Sequence, residues 1–246
     1  MASNRLPGKV LKEICGKPML AWVHYRVKKA TNVKKVVVAT TSSPKDDLIQ
    51  TFCEKNAIDY FRGSEFDVLE RFYQAAKNTQ AGIIVRITAD CPLIDPNLID
   101  QCVSRLIDNG LDFVANRLPP PFIRTFPIGL DVEVVTFNAL ERAWDESQET
   151  YQREHVMPFF YEEDRGFHIE IIDNAINYGQ LRWTVDTDSD LEFVNAVVKL
   201  LHCQMDFSWL DVLSIVKKYP ELEKMNLQEH HKSFKDVDDR LHSNKQ

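Results

Sequence analysis

The sequence predicts an α/β protein with a doubly wound, mostly parallel sheet. Short β-branched runs alternate with single helical stripes, and strands separated by one helix each form parallel βαβ units. The 246 residues, 44% of them hydrophobic, are enough for one large core and argue against global disorder. Residues 1–225 read as the domain and residues 226–246 as a polar tail.

Val36–Thr40 is a β-branched run and reads as a buried strand. Ser43, Pro44 and Asp46 follow as a helix start: a cap, a first-turn proline and an acid at the positive helix end. Leu48, Ile49, Phe52 and Cys53 give that helix its apolar stripe. Ile58–Phe61 reads as a short strand, and Asp67–Lys77 as a helix with Val68, Leu69, Phe72, Tyr73 and Ala76 on one face. Ile83–Ile87 is a second strong strand, and Asp95-Pro96 opens a helix carrying Leu98, Ile99, Cys102, Val103 and Leu106. Leu118–Pro121 is a rigid, helix-breaking connection. Leu130–Thr136 reads as a strand, Phe137–Glu146 as a helix, Phe167–Ile172 as a strand, and a polar loop ends at Gly179. Leu181–Val185 reads as a strand, followed by helices over Asp190–Leu201 and Trp209–Tyr219. Ligands of such sheets sit outside the carboxyl ends of the strands, which directs attention to the loops after Thr40, Ile87 and Val185.

A net charge of −7 excludes a general nucleic-acid or membrane-surface binder, because a polyanion needs a basic footprint. It leaves a nucleotide substrate open, since a few local cations hold a triphosphate. No stretch approaches the roughly 20 apolar residues of a membrane span, and no signal-peptide pattern opens the chain. The five cysteines are scattered and show no CxxC spacing. They are expected to be reduced thiols, mostly core fillers, in a cytoplasmic protein. Cys91 lacks an activating neighbour in sequence and is not expected to be a nucleophile.

Three stretches carry chemistry. Ser3-Asn-Arg5-Leu-Pro-Gly8-Lys9, with the later Gly16-Lys17-Pro18, combines a Pro/Gly bend with the cations Arg5 and Lys9. Backbone N–H groups there can approach an anion, and the alternative is an exposed basic turn. In Thr88-Ala-Asp90-Cys-Pro-Leu-Ile-Asp95, Asp90 follows a strand and can hold Mg²⁺ against phosphate oxygens, while Asp95 caps the next helix. In Trp183-Thr-Val-Asp186-Thr-Asp188-Ser-Asp190, Asp186 again ends a strand. Asp188 or Ser189 is expected to cap the following helix, so one carboxylate is a ligand candidate and the others are structural.

Arg5-Leu-Pro-Gly-Lys9, the Gly16-Lys-Pro18 turn, the Arg86–Asp95 run, Phe126–Val134, Arg153–Pro158 and Leu181–Leu191 occur in this order. As a set they resemble the cytidylyltransferase family that includes spore-coat polysaccharide synthesis protein F, itself similar to CMP-sugar synthetases acting on Kdo-type and sialic-type acids. The resemblance spans about residues 1–225. It implies a Rossmann-like nucleotidyltransferase fold of the nucleotide-diphospho-sugar transferase type, with CTP and a sugar as substrates and Mg²⁺ as cofactor. By position, Ser3, Arg5 and Lys9 match the phosphate-contacting opening motif, and Asp90 and Asp186 match two metal-binding aspartates. Arg124, Gly129, Asp131 and Glu133 fall on the sugar side of the cleft. Arg153, Glu154 and His155 belong to a further block, for which a salt-bridged loop or dimer contact is the alternative. A homodimer through residues 129–157 follows by the same analogy.

The chain departs from the family pattern twice. The apolar first strand expected just ahead of Met1 is absent, which predicts an unfilled sheet slot or an exposed edge beside the site. Ala89 stands where glycine is usual, and costs about 1 kcal/mol only if the backbone there needs positive φ. Rival readings are a glycosyltransferase of similar fold, using Asp131-Val-Glu133 or Asp186-Thr-Asp188 as its acidic metal motif, and an inactive nucleotide binder. A dinucleotide oxidoreductase is excluded, because no GxGxxG follows a strand.

Overall fold

The computed structural model describes residues 5–118, 123–162 and 165–229. Ser3, residues 119–122 of the proline connection, and the tail from residue 230 lie outside the described residues.

A hairpin opens the fold: β1 (Glu13–Ile14) and β2 (Lys17–Pro18) are joined by Cys15 and Gly16, with φ of 47° and 75°. Two successive left-handed residues give the tight turn that antiparallel strands need. Pro18 then leads into α1 (Met19–Lys29). Next, β3 (Val38–Thr41) and β4 (Tyr60–Gly63) pair in parallel around α2 (Asp47–Lys55), the expected βαβ unit. Then come α3 (Val68–Asn78), β5 (Ile83–Arg86), α4 (Pro96–Asp108) and β6 (Phe113–Ala115). The second half holds β7 (Glu133–Thr136), α5 (Phe137–Glu146), α6 (Thr150–His155), α7 (Pro158–Tyr161), β8 (Ile169–Ile171), α8 (Asp188–Leu200) and α9 (Trp209–Lys218).

The α/β class is as expected, and the sheet is mixed. Its larger part has the order β5-β7-β6-β8, with β7 antiparallel to both neighbours and β6 parallel to β8. Both faces are covered, and the side-chain alternation of strands divides the core. Val114 and Val134 face Trp22, Ile99, Phe193 and Val197 under α1, α4 and α8. Phe113, Ala115 and Val135 face Leu69, Leu140 and Phe159 under α3, α5 and α7. Most apolar residues of 129–157, Val132, Leu140 and Met157 among them, are buried in these two cores, with Phe137 and Trp144 half-buried.

Among the described residues β3 pairs only with β4, and β5 only with β7. Each leaves one edge unpaired. Between them runs a cleft of about 880 Å³ lined by Leu20, Val38, Ala39, Ile83, Val85 and Ile87.

Four local expectations need correction. Leu181–Val185 is not a strand. It makes one parallel bridge, Ile128 to Arg182, and otherwise joins loops: the Trp183 N–H donates to the Ile128 carbonyl (2.7 Å) and the Val185 N–H to the Asp90 carbonyl (2.9 Å). Ser43 makes no capping hydrogen bond; Pro44–Asp46 is a 3₁₀ turn, and Asp46 instead accepts from the Thr40 and Thr41 hydroxyls (2.8 and 2.7 Å). The cap of α8 is Thr187, in a reciprocal box with Asp190, rather than Asp188 or Ser189. Finally, Cys15 and Cys203 form a disulfide, leaving Cys53, Cys91 and Cys102 as buried thiols. The fold brings the hairpin turn beside the end of α8, at a separation of 188 residues that spacing alone does not reveal.

The Asp95 cap is as expected: its side chain accepts from the Asn97 N–H (2.7 Å), and also from the Trp209 N–H (2.6 Å) that opens α9. Ala89 is not among the positive-φ residues, so it carries no backbone strain. No helix of the described residues is long and apolar enough to cross a membrane.

An engineered β-branched strand of about six residues joined ahead of Met1 is expected to pair with both free edges and raise Tm by roughly 5 °C or more. Differential scanning calorimetry reads it. An unchanged Tm would mean that the cleft does not accept a strand.

Candidate active site

The opening motif reaches the site through one bend. Gly8 has φ 68°, and the Leu11 N–H closes on its carbonyl at 2.9 Å. Buried Leu6 anchors the bend in the core. This delivers Lys9 to the carboxyl end of the sheet, where Asp90 follows β5 and Asp186 precedes α8. The Lys9 ammonium donates to Asp90 Oδ2 (2.7 Å), Asp186 Oδ1 (2.8 Å) and the Val185 carbonyl (3.0 Å). All three of its N–H bonds are thereby used. Arg5 reaches the other oxygen of Asp186 at 3.1 Å.

The loops that hold these groups are themselves cross-tied. Besides the Val185 N–H, the Thr184 hydroxyl donates to the Asp90 carbonyl (3.1 Å). Asp190 is fully buried and accepts from the Asp186 and Thr187 N–H groups (2.9 and 3.1 Å) and from Arg182. Arg182 also donates to Asp186 (2.7 Å), and Asn226 joins Asp190 (2.9 Å). Asp188 is exposed and lies 3.7 Å from Lys12. Of the three acids in this stretch, then, Asp186 faces the site and Asp190 is structural. On the Asp90 side, buried Arg26 donates to the Ile94 carbonyl (2.6 Å) and stacks on Phe207. Nothing in the local sequence marks Arg26, Arg182 or Thr184 for these roles, because their partners lie on other elements.

Burial opposes every charge in the cluster, and the partners outweigh it. Asp90 and Asp186 hold the Lys9 pKa well above the ordinary lysine range. Lys9, Arg5 and Arg182 hold Asp186 well below the carboxylate range, and Lys9 lowers Asp90 against burial and repulsion from Asp186.

A second group lies beside the first, at the carboxyl ends of β5 and β6. Asp131 faces Arg117 Nε at 3.2 Å and Arg124 Nη1 at 3.4 Å, and Glu133 pairs with Arg86. Gly129 (φ 102°) lets this loop pass close to the Thr184 backbone; a Cβ there would lie 2.6 Å from the Thr184 nitrogen. Arg124, Asp131 and Glu133 are thus brought together, with Arg117 and Arg86 as partners that sequence reasoning missed. Arg153 is tied elsewhere: it donates to Asp67 (2.6 Å) and to the Trp144 and Ser147 carbonyls, locking α6 to the start of α3. Glu154 and His155 close α6 next to Val156, whose φ is 72°.

The sequence matches the cytidylyltransferase family over residues 1–234. A solved cytidylyltransferase from Leptospira borgpetersenii superposes with a TM-score of 0.86 at 33% identity, covering 94% of this chain and 95% of that one. The spore coat polysaccharide biosynthesis protein SpsF of Bacillus subtilis is 28% identical over 228 residues, 90% of this chain and 92% of SpsF. A 3-deoxy-manno-octulosonate cytidylyltransferase of Geobacter metallireducens is 35% identical over 106 residues, 43% of this chain and 41% of that enzyme. The chain belongs to the cytidylyltransferase family, and its chemistry is nucleotidyl transfer from CTP.

Replacing Lys9 by Met leaves two carboxylates facing each other, and is expected to cost about 1–3 kcal/mol at pH 7. The depressed carboxyls contribute stability in full above their unfolded pKa of about 3.9, and lose it as pH falls below that. The raised Lys9 contributes in full below about 10.4 and loses its share as pH rises further. Without the ammonium, one of the two facing carboxyls takes up a proton more readily, so the deficit of the variant should shrink as pH falls from 7 towards 4, and shrink again as pH rises above about 10.4. Urea unfolding across pH measures it, and a deficit that does not shrink towards acid pH would contradict the ion-pair account.

Proposed function

We propose that this cytidylyltransferase joins CMP to a sugar, an acidic one or a polysaccharide precursor, with release of pyrophosphate. The observation that carries the reading is the Lys9 ammonium held between Asp90 and Asp186, with Arg5 alongside. The names of the Bacillus and Geobacter relatives support the acceptor class.

A sugar hydroxyl attacks the α-phosphorus in line, and the bond to the pyrophosphate oxygen breaks. Charge grows on the leaving pyrophosphate, where Arg5 and Lys9 stabilise it. The chain needs no nucleophile of its own: positioning and electrostatics supply the acceleration.

The donor set fits Mg²⁺. This ion is bound through one or two carboxylates together with substrate phosphates, and Asp90 and Asp186 already converge on one cation, the Lys9 ammonium. When bound, Mg²⁺ neutralises charge on the phosphates and orients them. Asp90 and Asp186 would hold the ion together with oxygens of the nucleotide. Lys9 holds Asp90 Oδ2 and Asp186 Oδ1, so a Mg²⁺ ion sharing those oxygens would release the ammonium to a phosphate.

The glycosyltransferase alternative loses its motif in this geometry. Asp131 and Glu133 are committed to arginines, and Asp188 points to solvent, away from Asp186's partners.

Pyrophosphate release is the test, run with each nucleoside triphosphate, Mg²⁺ and a panel of acidic sugars. Turnover with CTP alone among the nucleotides is expected. Tight CTP binding without turnover would favour the inactive binder, and no CTP binding would sink the reading. Lys9→Met and Asp186→Asn should each lower kcat by about 10²-fold or more. Manganese binding by electron paramagnetic resonance separates the cation roles. The wild type should take up Mn²⁺ only with CTP present, whereas Lys9→Met should bind it without nucleotide. Equal uptake by both proteins in the absence of CTP would rule out the shared oxygens.

A further inference from the structure

We propose that the Cys15–Cys203 disulfide is a redox latch on the Lys9 bend: a low-molecular-weight thiol opens it, and the opened protein holds the nucleotide less tightly. The latch stands on the fold alone, and its effect on the nucleotide rests on the CMP-transfer reading.

The bond joins the two pieces of chain that make the Lys9–Asp186 contact. Cys15 sits in the turn of the β1–β2 hairpin, which follows directly on the 3₁₀ turn over Lys9–Leu11. Cys203 lies just past the end of α8, the helix that begins just after Asp186. One side chain of α8 also links the two pieces. Asn195 accepts from the Cys15 N–H (3.2 Å) and donates to the Glu13 carbonyl (3.3 Å). Both hydrogen bonds are long, so the covalent bond is the firm tie. The base of the hairpin has an anchor of its own: Ile14 is fully buried, and its carbonyl accepts from the Trp22 indole at 2.9 Å. Opening the latch therefore loosens the turn without unfolding the hairpin.

The backbone on both sides of the bond is in a conformation that its residue types disfavour. Cys15, His202 and Cys203 have φ of 47°, 57° and 54°, the left-handed region that residues other than glycine rarely adopt. Such residues persist where their surroundings constrain them. The Cα atoms of the two cysteines stand 5.8 Å apart, an ordinary disulfide span, and the bond is the constraint common to both sides.

Access selects this pair for exchange. Cys53, Cys91 and Cys102 are buried, whereas Cys203 is exposed and Cys15 half-buried. A thiolate of the glutathione class attacks Cys203 Sγ, the bond to Cys15 breaks, and Cys15 leaves as a thiolate that takes up a proton. A second reagent thiolate attacks the mixed disulfide, which frees the Cys203 thiol and the reagent disulfide. Two electrons pass from the two reagent thiols to the protein, and the reagent disulfide reverses the exchange. In the closed form the bend carrying Arg5 and Lys9 is ordered before the nucleotide arrives. In the open form that ordering is completed on binding, and its cost appears as lower affinity.

Titration calorimetry of CTP with Mg²⁺ tests the latch, on protein equilibrated in oxidised or in reduced glutathione. Alkylation and mass spectrometry should count three free thiols in the first buffer and five in the second. The closed form should bind CTP about threefold or more tightly than the open form. Cys203→Ser should bind like the open form in both buffers. The Lys9 ammonium gives a second readout that needs no nucleotide: by nuclear magnetic resonance, its protons should exchange with water about threefold or more faster in the open form. Five free thiols in oxidised glutathione would overturn the latch. So would equal CTP affinity or equal Lys9 exchange in the two wild-type states, or a redox response that survives in Cys203→Ser. The wild-type comparisons stand even if the variant fails to fold. Failure of CTP to bind either form, with Lys9 exchange still redox-dependent, would instead strike the CMP-transfer reading and leave the latch in place.

Discussion

The ammonium of Lys9 is held by oxygens from two separate loops, at Asp90, Val185 and Asp186. The first loop follows β5 and the second precedes α8, so the contact joins the front of the sheet to the helix that covers it. It also closes the N-terminal bend onto the body of the protein. Three oxygens around one buried cation make a strong and directional tie, because each is a charge-assisted or short hydrogen bond in a poorly solvated place. The rest of the site follows from this tie. Asp190 and Arg182 fix the far side of Asp186, and Thr184 fixes Asp90. A cation position bounded by two acids and two loops is in place before any phosphate arrives.

The same architecture explains how a chain with a cleft between its sheets keeps its site. Among the described residues the cleft lies between two separate sheets, β3-β4 and β5-β7-β6-β8. The β5–β7–β6–β8 part remains continuous and is packed on both faces. Lys9, Asp90 and Asp186 depend on that part and on α8, whereas the β3–β4 pair is held chiefly through α1, α2 and α3. The arginine cluster at Asp131 sits wholly within the continuous part.

Much of this could be read from the residues. Strong β-branched runs such as Ile83–Ile87 and the Asp95 cap carry local signals, and the structure places them within a residue or two. The position of Asp90 was legible because an acid just past an apolar run falls at a strand's carboxyl end; Asp186 reaches the same end although the run before it is not a strand. Leu181–Val185 misled because its β-branched, alternating pattern reports burial, and burial here comes from bridging two loops instead of pairing in a ladder. Strand β6 is three residues long, too short for a period to show, and β7 enters antiparallel because the chain returns through the Gly129 loop. The Cys15–Cys203 bond joins residues 188 apart, so spacing contains no trace of it, and Arg117 lies outside the stretches that singled out Arg124 and Asp131. Arg182 was hidden for a different reason: a buried arginine in an apolar run looks like a misplaced surface charge until its acid partners are known.

The most direct test of the account is nuclear magnetic resonance of the Lys9 side chain, assigned by comparison with Lys9→Met. An ammonium held by three oxygens should give a ¹H–¹⁵N signal at neutral pH that exchanges slowly with water. That signal should be lost in Asp90→Asn and should shift when CTP and Mg²⁺ are added. A Lys9 ammonium that exchanges like the surface lysines, and is indifferent to Asp90 and to nucleotide, would contradict the central claim.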